Sequence, residues 1–197
     1  MGKEVFTGER FIPGIDDKKL ETEHMQRYLS FRNFVKDKNV LDAACGEGYG
    51  SRILAEKAKS VIGLDISKET VERANQSYAT ECANLSYQCG SIANMQMIES
   101  DSIDVVVSFE TIEHVDEETQ KVFMKEIKRV LKPDGILIMS TPNKRIYSDL
   151  YNYHNEFHVK EFYQEEFLSF ISDNFKNMKD RLEEKGVDKV DGILLDL

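Results

Sequence analysis

Asn39-Val40-Leu41-Asp42-Ala43-Ala44-Cys45-Gly46-Glu47-Gly48-Tyr49-Gly50-Ser51 is a short apolar run that ends in an acid, then a glycine-rich turn, then the start of a helical pattern. The stretch predicts a strand, a tight loop and a helix. Gly46 and Gly48 let the backbone bend sharply and let a ligand come close. Asp42 falls at the strand's C-terminal end, where a doubly wound sheet binds its ligands. A pyrophosphate loop reads Gly-x-Gly-x-x-Gly and aims a helix N-terminus at the phosphates. Here Ser51 takes the place of the last glycine, and two carboxylates, Asp42 and Glu47, stand in or beside the loop. Carboxylates there repel a pyrophosphate and suit a ligand that carries a cation, an ammonium or a sulfonium.

Outward from this loop, strands and helices alternate. Ser60–Asp65 reads as a second strand that again ends in an acid, and Ser67 is placed to cap the helix after it. Asn84–Gln88 is a short third strand, and Asp104–Phe109, with three consecutive valines, is a fourth strand buried on both faces. Glu117–Leu131 has the period of an amphipathic helix, stopped by Pro133-Asp134-Gly135, and Ile136–Ser140 is a fifth strand. Helical patterns also cover Glu21–Lys36, Tyr49–Lys59 and Glu161–Phe175. The alternation predicts an α/β fold with a right-handed, doubly wound, mostly parallel sheet. Met1–Lys19 reads as an extended arm across the mouth of the site, and Val190–Leu197 as a terminal strand without a partner, which favours self-association as a homodimer.

With Asp42, Gly46, Gly48 and Gly50 in place, the chain resembles the class I S-adenosylmethionine (SAM) methyltransferases, whose first motif reads acid-x-Gly-x-Gly-x-Gly. Ala44 stands where that family has its first glycine and narrows the room near the methionine end of the ligand. The resemblance implies a Rossmann-like domain over residues 1–197. Residues 1–36 would be an arm and lid helix, residues 37–142 the SAM-binding core, and residues 143–197 a substrate loop, a helix and an incomplete C-terminal strand pair. It implies SAM as cofactor and S-adenosylhomocysteine as product. Asp42, Ala44, Gly46 and Gly48 would meet the methionine part, Asp65 the ribose hydroxyls and Ile66 the adenine face. Ser91 and Ile92 would lie at the adenine edge, although the family often has an Asp at that place, and Ser108, Phe109 and Glu110 would line the cleft.

Glu110-Thr111-Ile112-Glu113-His114-Val115 resembles the Glu-x-x-Glu-His-Val segment of small-molecule and glycan methyltransferases, and makes Glu113 and His114 catalytic candidates. A histidine is the usual general base near neutral pH, and it can equally brace a loop. Glu23–Tyr28, with Gly8–Phe11, resembles the lid of methyltransferases encoded with bacterial surface-polysaccharide genes. Arg27 would pair with the SAM carboxylate and Tyr28 would offer its ring to the sulfonium, or pack in the core. Asn155–Glu161 resembles the Asn-x-Phe-His-x-x-Glu segment of the same group, with His158 a second candidate base in a loop whose Tyr and His residues suit a sugar ring. Separately, residues 182–197 resemble an internal piece of the ribosomal RNA cytosine methyltransferases.

Composition bounds these readings. A chain of 197 residues, 41% apolar and 31% charged, is long enough for one sizeable core. A net charge of −10 disfavours a nucleic-acid footprint. Neither a span-length apolar run nor a signal-peptide core is read, so a cytoplasmic protein is expected. Three cysteines without a CxxC predict reduced, mostly buried thiols, and no metal ligand set is expected. The reaction expected is O-methylation of a sugar, glycan or other small hydroxylated acceptor. The alternatives are a quinone-like acceptor and SAM binding without turnover. A nicotinamide dehydrogenase is disfavoured by Asp42 and Ser51.

Overall fold

The structure, a computed structural model, describes residues 18–184. The expected arm before Lys18, the terminal strand over Val190–Leu197 and the ribosomal RNA methyltransferase resemblance from Lys185 onward lie outside the described residues. The chain divides after Cys89 into two compact units.

The first unit runs α1 (Lys18–Phe31), β1 (Asn39–Ala43), α2 (Tyr49–Ala55), β2 (Ser60–Asp65), α3 (Lys68–Ser77) and β3 (Leu85–Cys89). β2 pairs in parallel with both β1 and β3. The register sets Ala43 beside Leu64 and Asp65 beside Cys89, so the three C-terminal tips line up. Val40, Leu41, Asp42 and Ala43 are all buried, the mark of a parallel strand covered on both faces. Ser67 caps α3 as expected, its hydroxyl accepting from the Thr70 amide, with Glu69 in the first turn. The first helix ends at Phe31 instead of continuing to Lys36, and Leu29 and Phe34 of its apolar pattern face solvent.

The second unit contains β4 (Ile103–Phe109), α4 (Glu117–Val130), β5 (Leu131–Ser140) and α5 (Gln164–Glu184). β4 and β5 are parallel, in register from Val105↔Ile136 to Phe109↔Ser140, while Ile103 pairs with Leu131. The residues between Leu131 and Ile136, Pro133 and Gly135 among them, are therefore looped out of the ladder. The helix expected through Leu131 stops at Val130. Leu131 is already extended and buried, because Lys132 precedes a proline and the chain cannot stay helical there. The core face of α4 is Phe123, Met124, Ile127 and Val130. α5 begins at Gln164, not Glu161, because the Glu161 carboxylate is drawn into the loop before it. Only one of the three thiols, Cys45, is buried, and Cys89 is exposed at its strand tip, which corrects the expectation of mostly buried cysteines.

No described helix is long and apolar enough to cross a membrane.

Candidate active site

The glycine loop of the first unit is a strained backbone held by two buried acids. Ala44, Gly46 and Gly48 all have positive φ, 62°, 54° and 83°. Gly46 and Gly48 adopt the left-handed region without cost, whereas Ala44 does not. Asp65 ties the loop to the next strand: its carboxylate oxygens accept from the Gly46 amide and from the Ser67 amide, each at 2.9 Å.

Asp42 is fully buried. Its oxygens accept from the Ser51 hydroxyl at 2.6 Å and the Tyr28 hydroxyl at 3.3 Å. Ser51, which departs from a glycine pattern, is thus the residue that satisfies the buried acid. Burial pushes the Asp42 carboxyl up to about 7 against those two hydrogen bonds, and the charge of Asp65 adds to the rise. Its position makes Asp42 the post on which the loop is built. Glu47, expected to add negative charge beside the loop, is answered by the Arg73 guanidinium in a two-pronged pair at 2.9 and 3.2 Å.

Tyr28 packs in the core. Its ring lies so close over Gly50 that a Cβ there would come within 2.3 Å of three ring carbons, and it meets Tyr49 edge-on at 5.8 Å. Burial, with the Asp42 charge next, holds its phenol well above the usual range. Arg27, on the same helix, is half-buried. Tyr87, which sequence reasoning passed over, wedges between Gly48 and Gly63 and donates to the Gly48 carbonyl at 2.6 Å. Ile66 is 75% exposed, a large apolar side chain at the tip beside Asp65, where a flat ring could lie.

The second unit holds the other expected residues. Ser91 and Ile92 are half-buried, and the Ser91 hydroxyl caps its own turn by accepting from the Ala93 amide at 3.1 Å. Ser108 is fully buried at the end of β4, its hydroxyl without a partner among the described residues. Phe109 is half-buried, and Glu110 has a left-handed φ of 48°, its carboxylate accepting from Ser140 Oγ at 2.6 Å. A non-glycine residue in that region costs of order 1–2 kcal/mol and is kept by its surroundings.

The loop after Glu110 is fastened from several sides. Gln120, buried on α4, donates through Nε2 to the Ile112 carbonyl at 2.8 Å, with longer contacts to the Val115 and Lys160 carbonyls. The Glu113 carbonyl accepts from both Val159 and Lys160. Glu113 is fully buried, its Oε2 accepting from Thr141 Oγ1 at 2.9 Å and its Oε1 lying 3.9 Å from His114 Nε2. The rings of His114 and His158 meet edge-on at 5.0 Å. Tyr147 stacks on His158 at 5.2 Å.

Both His158 nitrogens are engaged, Nδ1 with Glu161 Oε1 at 2.6 Å and Nε2 with Asn155 Nδ2 at 3.1 Å, so the ring is braced more tightly than a base needs. A cavity of about 490 Å³ opens beside it, lined by Tyr153, His154, Lys144 and Tyr163 among others. That volume is in the range of small-molecule sites. Gln120, Tyr87 and Arg73 were not legible as site residues. A buried glutamine on an otherwise apolar helix face was the one signal available.

Residues 34–191 match the family described as a methyltransferase domain. The chain is 36% identical over 143 residues to a probable S-adenosylmethionine-dependent methyltransferase of Mycolicibacterium smegmatis, covering 72% of this chain and 53% of that protein. It is 32% identical over 111 residues to a ubiquinone biosynthesis O-methyltransferase of Idiomarina loihiensis, covering 56% of this chain and 45% of that one. The chain thus spans about half the length of the curated relatives it matches. Among solved structures, the YcgJ protein of Bacillus superposes with a TM-score of 0.64 at 22% identity, over 76% of this chain and 67% of that one. That likeness carries the Rossmann-like α/β fold.

Proposed function

Starting from a chain that belongs to the class I SAM-dependent methyltransferase domain family, we propose that it transfers the methyl group of SAM to a hydroxyl of a sugar, a glycan or another small hydroxylated acceptor. The observation that carries this is the glycine loop braced by Asp42 and Asp65, acids at neighbouring strand tips that favour a cationic nucleoside over a dinucleotide. The donor is assigned to Arg27, Ala44, Gly46, Gly48, Asp65 and Ile66, with Asp42 shaping the loop beneath it. Ser91, Ile92, Ser108, Phe109 and Glu110 are assigned to the rest of the donor's surface.

Transfer is an in-line displacement. The sulfur–carbon bond breaks as the oxygen–carbon bond forms, the sulfonium leaves as a neutral thioether, and the acceptor hydroxyl gives up its proton. Proximity and alignment carry most of the rate. The proton falls to the cluster of Glu113, His114 and His158. Acting without a cofactor, the cluster offers His114 Nε2 to receive it, because the His114 Nδ1 hydrogen is committed to the Phe157 carbonyl at 3.0 Å. The acceptor is assigned to the cavity beside His158, whose tyrosines suit a ring with hydroxyls. The likeness to ubiquinone O-methyltransferases favours a second reading, a phenolic quinone precursor in the same cavity. A third, a donor-binding protein without turnover, is the outcome if no acceptor works.

Calorimetry with SAM, S-adenosylhomocysteine and NAD tests the donor assignment: binding of NAD and not of SAM refutes it. Label transfer from SAM to a panel of glycans and phenols then separates the acceptor readings.

A further inference from the structure

Glu113, His114 and His158 each offer one donor atom, and these atoms lie within 4.8 Å of one another. We infer that this cluster is a divalent-cation site built for a borderline transition ion such as Mn²⁺, Fe²⁺, Co²⁺ or Zn²⁺. The claim stands on the cluster's own geometry and does not depend on which acceptor is methylated.

The tautomers are set by the neighbours. A carbonyl oxygen only accepts, so the His114 nitrogen facing Phe157 O carries the hydrogen and Nε2 carries the lone pair. His158 Nδ1 faces the Glu161 carboxylate at 2.6 Å and is fixed in the same way. Asn155 confirms it independently. Its Oδ1 accepts from the Phe157 amide, so the group turned toward His158 Nε2 is the NH2, which donates. Both imidazoles therefore present Nε2 while their Nδ1–H is anchored, one on a carboxylate and one on a backbone carbonyl. That is the outer shell that orients metal-binding histidines. Glu161 is itself held by Ser148 Oγ at 2.6 Å.

The third donor fits the same picture. Glu113 is fully buried, with one carboxylate oxygen occupied by Thr141 and the other turned toward His114 Nε2. A cation is the counter-charge that so deeply buried a carboxylate favours. Donors at about 2.0–2.2 Å from a common ion stand about 3–3.5 Å apart. Closing from separations of up to 4.8 Å to that spacing takes a shift of these side chains. On releasing His158, Asn155 Nδ2 keeps the Tyr147 hydroxyl, 3.2 Å away, as an acceptor. His114, partly exposed, is the side from which an ion enters. Two imidazoles and one carboxylate suit these ions better than Mg²⁺ or Ca²⁺, which prefer oxygen, and leave positions open for an acceptor oxygen. A hydroxyl bound there sheds its proton more easily, and His114 then serves as a ligand in place of a base.

The test uses the full, untagged chain, stripped with a chelator and titrated with Co²⁺ by visible absorption and with Mn²⁺ by electron paramagnetic resonance. Saturable binding of one ion per chain is expected. His114→Ala and His158→Ala should each weaken it at least tenfold, and Glu161→Gln, which keeps the shape but weakens the anchor, by about tenfold. His24→Ala, at a histidine of α1 outside the cluster and the cavity lining, should bind like the parent. Thermal melts report whether each variant is folded. His114→Ala, at a partly exposed side chain, keeps the test decisive if His158→Ala is not. Absence of saturable binding, or binding that survives the loss of both His114 and His158, overturns the inference.

Discussion

Replacing Asp42 with Asn should make the unliganded protein more stable relative to the parent as pH rises. The carboxyl ionises at about 7 in the fold against 3.8 in an exposed chain, chiefly because burial removes water from the charge. Since the folded value is the raised one, the protonated acid's contribution is complete below the unfolded value and is lost as pH rises through the folded value. A gap of about three pH units at about 1.4 kcal/mol each amounts to about 4 kcal/mol. Asparagine has no such titration. The stability difference between variant and parent should therefore grow by about 4 kcal/mol between pH 4 and pH 8. At about 2–4 °C per kcal/mol for a chain of this size, that is about 8–16 °C in midpoint. The Ser51 and Tyr28 hydroxyls can turn to suit the amide, so a constant offset of either sign is expected on top, and only the pH-dependent part is diagnostic. Urea and thermal unfolding of both proteins across that range is the assay. Parallel curves from pH 4 to pH 8 would refute the claim that burial outweighs the two hydrogen bonds to Asp42 and raises its carboxyl.

Other outcomes follow from the same packing. A cationic ligand at the loop favours ionised Asp42, so SAM should bind more tightly at pH 8 than at pH 6 and release protons on binding near pH 6–7. Calorimetry in buffers of different ionisation heat measures this, and proton uptake would contradict it. Ala44→Gly relieves a left-handed alanine and should raise stability by up to about 1 kcal/mol in urea unfolding, the loss of chain stiffness in the unfolded state offsetting part of the gain. Gly50→Ala drives a methyl into the Tyr28 ring and should cost about 1–3 kcal/mol in the same assay. Asp65→Ala leaves the Gly46 and Ser67 amides without their acceptor and should weaken SAM binding severely. Unchanged affinity by calorimetry would remove Asp65 from the donor site.

Much of the fold was legible because its signals are local. The acid at the end of each of the first two strands, the apolar run of Val105–Val107, the Ser67 cap and the Phe123–Ile127–Val130 stripe each follow from a few adjacent residues and a fixed period. Boundaries moved where distant groups competed. Leu131 left its helix to pair with Ile103, and Glu161 stayed out of α5 because His158 and Ser148 hold its carboxylate. The surroundings of Glu47 and Tyr28 were hidden from the sequence for the same reason. Their partners, Arg73 and Gly50, are more than twenty residues away in the chain, and no spacing rule links them.

Taken alone, the order of residues determined the α/β alternation, the glycine turn after Asp42 and the family, since these rest on backbone propensity and short motifs. Tertiary structure decided what the charges are for. It alone sealed Asp42 away from water, matched Glu47 with Arg73, fixed which imidazole nitrogens carry hydrogen, and gathered Glu113, His114 and His158 into one cluster. Burial and through-space distance set the energy of a charge, and neither can be read from position along the chain.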